Sequence, residues 1–309
     1  MITDGAEFIG NHLVHRLLNE GFDLVVVHNL SSASHENLSQ RFGEVTFTLI
    51  EDAVQDETDV KKAFESVDVV FHLSVIVILN ITMKNPILVN DMNVNRTLNV
   101  LKESLKEDIN VFICTSFYGV YDEPISLPLT EEHPTEPKSQ YAVSKLAAEH
   151  YCIFFHEVYW IETIYLRFCN VYGSKQTRNS HANVISPFLD KIRKSESPII
   201  YGSREQTRIF VFIEDVFEAS LYPISSKKCF DEVITVGSGI ETPINLFTGF
   251  LVNLSDLHNI IVEYAHARDD DIRQSYADLT KAKRLRGYNP KIFLRSGLIT
   301  LLIKLGVKC

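Results

Sequence analysis

Glycine is the residue this chain is short of. It fills 13 of 309 positions, about 4% against an average near 7%, and the shortage falls where a glycine-rich loop would matter. Cysteine pairs of the metal-binding kind are missing too. The five cysteines, Cys114, Cys152, Cys169, Cys229 and Cys309, are scattered, odd in number and form no CxxC. That pattern predicts a reducing compartment and no zinc site. Positive charge is in deficit, with 30 Lys and Arg against 40 Asp and Glu for a net −10, which argues against a phosphate-neutralising grip on nucleic acid. No apolar run reaches across a bilayer. The longest, Val67 to Ile81, carries Asp68, His72, Ser74 and Asn80 and falls short of the ~20 residues a span needs. The first residues are acidic and polar rather than basic then apolar, so no signal peptide is visible and the expected location is cytoplasmic.

What is present is an ordinary globular balance, 45% hydrophobic and 23% charged. The length suffices for one large or two intimate domains with a core of their own. Short β-branched runs at Leu24–His28, Val45–Ile50, Val67–Leu73, Asn110–Thr115 and Thr163–Phe168 alternate with helix-period segments at Phe8–Glu20, Glu57–Glu65, Ile87–Lys106 and Gln140–Val158. Strands apolar on both faces with intervening helices predict an α/β fold, a Rossmann-type doubly wound parallel sheet that binds ligands at the strands' carboxyl ends. After about Cys169 the pattern loosens into a Pro187-led helix, strands at Ile199–Tyr201 and Arg208–Ile213, and helices at Asn245–Leu257, Leu279–Leu285 and Ile292–Leu305. This part reads as a smaller α/β lobe capping the sheet. Only Met1 and Ile2 precede the first turn, where a central strand of five or six residues is expected. Either several N-terminal residues are missing or the central strand is a stub.

Two segments carry candidate chemistry. Thr3 to Gly10 lies where a strand-to-helix phosphate loop belongs, but only Gly5 and Gly10 remain, and Asp4 and Glu7 would set two carboxylates beside a pyrophosphate. An acidic helix N-terminus favoured by the dipole explains the segment equally well. Tyr141 and Lys145 are spaced by four and share a helix face. An ammonium beside a phenol favours the phenolate and makes a general base of it. With 12 tyrosines in the chain, the spacing alone says little. Its place at the opening of the helix after the Thr115 strand says more.

An ordered set of short phrases carries a resemblance. It runs through Phe8-Ile9-Gly10, His28-Asn29-Leu30-Ser31-Ser32, Glu51-Asp52, Phe71-His72-Leu73 and Asn93-Val94. It continues through Gly119-Val120-Tyr121, the Tyr141/Lys145 pair, Asn170-Val171-Tyr172-Gly173, Asn183-Val184-Ile185, Glu205-Gln206-Thr207-Arg208, and Arg268 with Asp271. The chain thereby resembles the extended short-chain dehydrogenase/reductase family, and within it the NAD-dependent epimerase/dehydratases of the UDP-glucose 4-epimerase type. The resemblance implies an NAD-binding domain over residues 1–168 and a substrate-binding lobe over 169–309, interleaved with it. It implies that Gly5, Phe8, Ile9, Gly10, His28, Asn29, Asp52, Leu73, Asn93, Thr115 and Phe168 contact NAD along with Tyr141 and Lys145. Asp52 would meet the adenine and Asn93 the nicotinamide end. Asn170, Asn183, Val184, Arg208, Arg268 and Asp271 would hold the UDP-sugar, with a capping or turn role as the alternative for Asn170 and a surface ion pair for the arginines. Tyr141 would take the proton of the sugar 4-hydroxyl as hydride leaves C4, giving a transient 4-keto sugar. The family dimer would bury the Ile87–Lys106 and Gln140–Val158 helices as a four-helix bundle.

The departures cluster at the expected site. Asp4 and Glu7 stand in place of glycines, and Arg96 in place of another. His28 replaces the acid that usually reads the adenosine ribose, which leaves NAD against NADP open. Phe117 falls where the resemblance puts a catalytic serine or threonine. Ser116 could substitute only if the strand bulged, because neighbours on a regular strand face opposite ways. The expected function is an NAD-dependent nucleotide-sugar 4-epimerase. The alternative is an impaired paralogue that binds a nucleotide sugar, or acts as a scaffold, without turnover. A dehydratase or decarboxylase would place an acid just after the catalytic threonine, and Tyr118 and Gly119 supply none.

Overall fold

The structure is a computed structural model that describes residues 1–28, 35–51, 63–73, 85–176, 185–202, 205–222, 227–255, 260–266 and 272–307. In its first half lie strands β1 (Ile2–Thr3), β2 (Leu24–Val27), β3 (Phe47–Ile50), β4 (Val69–His72), β5 (Val111–Phe117) and β6 (Glu162–Phe168). The second half adds β7 (Asn170–Tyr172), β8 (Ile199–Tyr201), β9 (Thr207–Phe212), β10 (Glu232–Val236), β11 (Glu241–Pro243) and β12 (Glu263–Ala265). Seven strands form one parallel sheet in the order β10-β6-β5-β4-β1-β2-β3.

Successive side chains of the inner strands go to two different cores, as the period-2 pleat requires. Val70, Phe112, Cys114 and Tyr165 join Val100, Leu101, Cys152 and Phe155 on one face. Phe71, Ile113, Ile164 and Leu166 join Ile2, Leu13, Val14 and Leu17 on the other. This two-sided burial is why the strands read as continuous apolar runs rather than alternating ones.

The central strand β1 spans Ile2–Thr3. Ile2 and Thr3 pair with β2 on one side and β4 on the other. Asp4 adds one more bond, from its N–H to the Val27 carbonyl at 2.8 Å, before the chain turns away. Asp4 makes that turn in the left-handed region, at φ 51°, a conformation Asp tolerates better than most non-glycine residues. The Glu7 N–H closes the turn on the Asp4 carbonyl at 3.0 Å, and the helix Phe8–Asn19 begins directly.

Several boundaries differ from expectation. Val45 is fully exposed and the third strand starts only at Phe47, where its register with Leu24 begins. The fifth strand runs two residues past Thr115 to Phe117. A helix over Ile213–Leu221 follows β9 directly. The helix expected from Ile87 starts at Pro86, capped by Asn85 accepting from the Leu88 N–H at 3.1 Å. It is broken into Pro86–Asn90 and Arg96–Lys106 by a π turn at Asp91–Asn95. Residues 52–62, which include most of the helix expected over 57–65, lie outside the described residues. The second half supplies a three-stranded sheet, β11-β9-β7, and the pair β12-β8. Phe210 stacks on Phe247 at 4.8 Å between ring centroids, and Phe188 stacks on Phe247 at 5.8 Å.

Candidate active site at the sheet crest

At the carboxyl end of β1 the turn is tight for want of side chains. A Cβ on Gly10 would lie 2.5 Å from the Asp4 carbonyl oxygen and 2.7 Å from the Gly5 Cα; one on Gly5 would lie 2.7 Å from Val26. Gly10 therefore sits where backbone meets backbone, and Gly5 where the Val26 side chain leaves no room for a Cβ, the tight turn that such a loop needs. Phe8 and Ile9 pack half-buried against the main core. Asn37 donates to the Ala6 carbonyl at 2.9 Å and Asn11 to the Asn37 carbonyl at 2.6 Å, which braces the turn from behind. His28, fully buried just past β2, brings its Nε2 to 3.5 Å from a Glu7 carboxylate oxygen and 4.0 Å from one of Asp4. Three of the departures read from the sequence thus meet at one place.

Beside the turn runs a chain of hydrogen bonds that the sequence did not signal. Thr97 donates to the Asn93 carbonyl at 2.6 Å, so its oxygen is left to accept from His72 Nε2 at 2.8 Å. The other imidazole nitrogen, Nδ1, then accepts from Thr3 at 3.1 Å, and Thr3 accepts from the Leu73 N–H at 3.0 Å. Burial pulls the His72 pKa down to about 3, with help from Lys145 and Arg96. His72 is a neutral tie between β1, β4 and the Arg96–Lys106 helix. Thr115 donates to the His72 carbonyl at 3.3 Å and joins the same lattice.

The helix Gln140–Tyr159 opens at the crest, capped by Ser139, which accepts from the Ala142 N–H at 3.1 Å. Lys145 is buried, and among the described residues no hydrogen bond engages its ammonium. Burial lowers its pKa, while Cys114, Cys152, Glu149 and Asp4 pull the other way. Tyr141 lies one turn earlier with its ring 5.0 Å from that of Phe117. Burial pushes the Tyr141 phenol well above its ordinary value. That direction is opposite to the lowering expected from a neighbouring ammonium, and its cause is burial. The Phe117 ring also occupies the space a Cβ on Gly119 would need.

The strand does not bulge. Its register with β6 continues through Ser116↔Arg167 and Phe117↔Phe168, and Phe117 is extended at φ −135° and ψ 131°. By register Ser116 lies opposite Arg167, and among the described residues its buried hydroxyl has no hydrogen-bond partner. Asn93 is buried and donates to Ser144 at 2.9 Å, while Ser144 donates to the Tyr141 carbonyl at 2.8 Å. It couples the π turn to the Tyr/Lys helix rather than pointing out of it.

On the lobe side, Asn170 donates to the Ile209 carbonyl at 3.1 Å and so ties β7 to β9. Arg208 donates to the carbonyls of Thr207 and Ile272 at 2.8 and 2.6 Å. Phe168 closes β6 between Phe117 and Val236. Asn29, Asp52, Asn183, Val184, Arg268 and Asp271 lie outside the described residues. A further group escaped the sequence reading: Arg167, buried in β6, forks onto both Glu149 carboxylate oxygens at 3.1 and 2.5 Å and donates to the Tyr121 hydroxyl. A charged residue inside an apolar strand was the available signal. A cavity of about 450 Å³ lined by Pro128, Ser238, Ala277 and Lys283 lies on the lobe and shares no residue with the crest. Among the described residues, no helix is long and apolar enough to cross a membrane.

A helix-borne Tyr/Lys pair beside a glycine-pinned turn, both at the crest of a doubly wound sheet, defines a Rossmann-type protein of the short-chain dehydrogenase/reductase class. Residues 1–237 match the model of the NAD dependent epimerase/dehydratase family, and the chain belongs to that family. It is 35% identical over 299 residues to a putative UDP-glucose 4-epimerase of Methanocaldococcus jannaschii, covering 96% of this chain and 95% of that one. Its fold is similar to the crystal structure of UDP-glucose 4-epimerase from Thermotoga maritima with UDP-glucose, at TM-score 0.92, 30% identity, and 99% and 97% of the two chains. It is also similar to UDP-N-acetylglucosamine 4-epimerase from Methanobrevibacter ruminantium in complex with UDP-N-acetylmuramic acid, at TM-score 0.89, 30% identity, and 98% and 97% of the chains.

Proposed function

We propose that this chain is an NAD-dependent nucleotide-sugar 4-epimerase of the UDP-glucose/UDP-galactose type. The observation that carries the reading is the Tyr141/Lys145 pair, one helical turn apart at the sheet crest with Lys145 buried. The residues fit the cofactor: Gly5 and Gly10 permit the close backbone approach, and Lys145 has donors to give to ribose hydroxyls. When bound, NAD supplies a two-electron acceptor for the sugar and a positive charge near the phenol. Tyr141 holds the proton that must leave and return at the sugar 4-oxygen. Lys145 stabilises its ionised form once the site is filled. Arg208 suits the substrate diphosphate, because a guanidinium fork matches phosphate oxygens.

Phe117 cannot donate the hydrogen bond that a serine or threonine there would give. Such a bond in a shielded site is worth about 2–4 kcal/mol, or roughly 10²–10³ in rate. Conversion of UDP-galactose to UDP-glucose with added NAD tests the reading. Wild-type turnover is expected to be slow, Phe117→Ser to be faster by roughly 10², and Tyr141→Phe to be inactive. Absence of turnover in both wild type and Phe117→Ser would favour a paralogue that binds without reacting.

The same reading includes a dimer of two copies. Val143, Tyr151, Phe154 and Val158 form an exposed apolar stripe on the Gln140–Tyr159 helix, and Ile87 is 73% exposed on the neighbouring one. An apolar stripe at helical spacing on a soluble surface supports a partner helix.

A further inference from the structure

Arg167 is a cation in the middle of a largely apolar sheet. Its backbone is fixed on both sides, opposite Ser116 of β5 and Thr235 of β10. All three guanidinium nitrogens are engaged. Nε and Nη2 fork onto the two Glu149 carboxylate oxygens at 3.1 and 2.5 Å. Nη1 donates to the Tyr121 hydroxyl and, at 3.5 Å, to the Glu131 carbonyl. The guanidinium carbon also sits 4.7 Å from the centroid of the Tyr121 ring. The Arg167 and Glu149 side chains are 5% and 1% exposed. One side chain on a rigid strand thus holds the Gln140–Tyr159 helix, the turn that follows β5 and the loop ahead of that helix.

Glu149 lies one helical turn beyond Lys145, and its carboxylate favours the Lys145 charge. Immediately before Lys145, Ser144 accepts from Asn93 at 2.9 Å and donates to the Tyr141 carbonyl at 2.8 Å. The stretch that carries Tyr141 and Lys145 is therefore held from both ends, by Asn93 through Ser144 and by Arg167 through Glu149. A buried ion pair adds little net stability over apolar side chains of the same volume. What a two-pronged guanidinium–carboxylate fork adds is a fixed distance and a fixed plane. We infer that Arg167 is a positioning residue: through Glu149 it sets where the Gln140–Tyr159 helix presents Lys145 and Tyr141 to a dinucleotide at the sheet crest. The inference rests on the NAD reading above.

The test replaces the pair in the full chain by apolar side chains of similar volume, Arg167→Met/Glu149→Leu. Neither partner is left as an unpaired buried charge, so the variant is expected to melt within a few degrees of wild type by circular dichroism. Its NAD affinity, measured by titration calorimetry, is expected to weaken at least tenfold. In UDP-galactose conversion kcat is expected to fall by about 10², the cost of a misplacement near 1 Å. KM for the sugar is expected to move less than threefold, because Arg208 belongs to the lobe. Affinity alone decides where wild-type turnover is too slow to measure. Arg167→Lys keeps the charge without the fork and should show most of the same loss; it decides the matter if the double variant fails to fold. A folded double variant with wild-type NAD affinity would overturn the inference, since the pair would then be structural only. So would wild-type affinity in Arg167→Lys, which would leave the fork without a role. Absence of NAD binding by wild type would instead refute the cofactor reading.

Discussion

His72 shows how one side chain can join three elements. Both its nitrogens are committed, one to Thr97 and one to Thr3, and burial holds the ring neutral. Its pKa in the fold is about 3 against an ordinary 6.5. Between those values the unfolded chain binds more protons than the folded one, so stability rises with pH across that window and falls on acidification. The loss approaches about 1.4 kcal/mol per pH unit from this one group. Urea denaturation from pH 7 to pH 4 is expected to show that slope, and His72→Asn to flatten it. An unchanged slope in the variant would assign the effect elsewhere, for instance to His12 and His15, whose pKa values burial also lowers. At this scale the sequence was legible where spacing alone sets geometry. Tyr141 and Lys145 share a face because four residues make about one turn. The phenol's ionisation was not legible, because it depends on how deeply the fold buries Tyr141. The His72 network was equally hidden, since its hydroxyl partners come from positions 3 and 97.

The Gln140–Tyr159 helix serves two environments at once. Lys145, Glu149 and Cys152 turn inward to the sheet, and Val143, Tyr151, Phe154 and Val158 turn outward. Its mixed hydrophobicity follows from that double duty. If the outward stripe is covered by a second copy, a charge at its centre should be costly only in the assembly. Phe154→Glu is expected to convert a dimer into a monomer by light scattering, with little change in secondary structure. Phe154 is 46% exposed in the single chain, so the substitution leaves the monomer's own core intact. A wild-type monomer at micromolar concentration would sink the dimer proposal. Element positions were read from hydrophobic period, and the parallel strands came through to within a few residues. The π turn at Asp91–Asn95 was not readable. Its extra residue per turn leaves no mark on a pattern of apolar spacing, yet it lies where Asn93 reaches Ser144.

The whole molecule is closed by a strand from its second half. β10 pairs with β6 over five residues, Glu232↔Ile164 to Val236↔Phe168, and makes the seventh strand of the main sheet. A boundary at residue 168 therefore cuts the sheet's edge from its neighbour. Nothing local announces this pairing: the two strands are some 70 residues apart, and a parallel partner is chosen by the sheet rather than by a turn. Other ties cross the same boundary. His12 bonds the Ser174 carbonyl at 2.7 Å and lies 5.7 Å from the Phe217 ring, while Glu131 accepts from the Thr235 N–H at 2.7 Å. Ile234, Val236, Ile213 and Phe247 are fully buried in the core that also contains Ile2, Leu13 and Leu166. A fragment of residues 1–168 would expose the apolar faces these residues cover. It would also leave β6 as a seven-residue unpaired edge, a template for aggregation. Exposing even four large apolar side chains costs about 6–12 kcal/mol, comparable to the whole stability of a typical domain. The fragment is expected to precipitate or to melt without cooperativity by circular dichroism, while the full chain unfolds in one transition. A soluble fragment melting cooperatively within a few degrees of the full chain would show that the first half carries a core of its own.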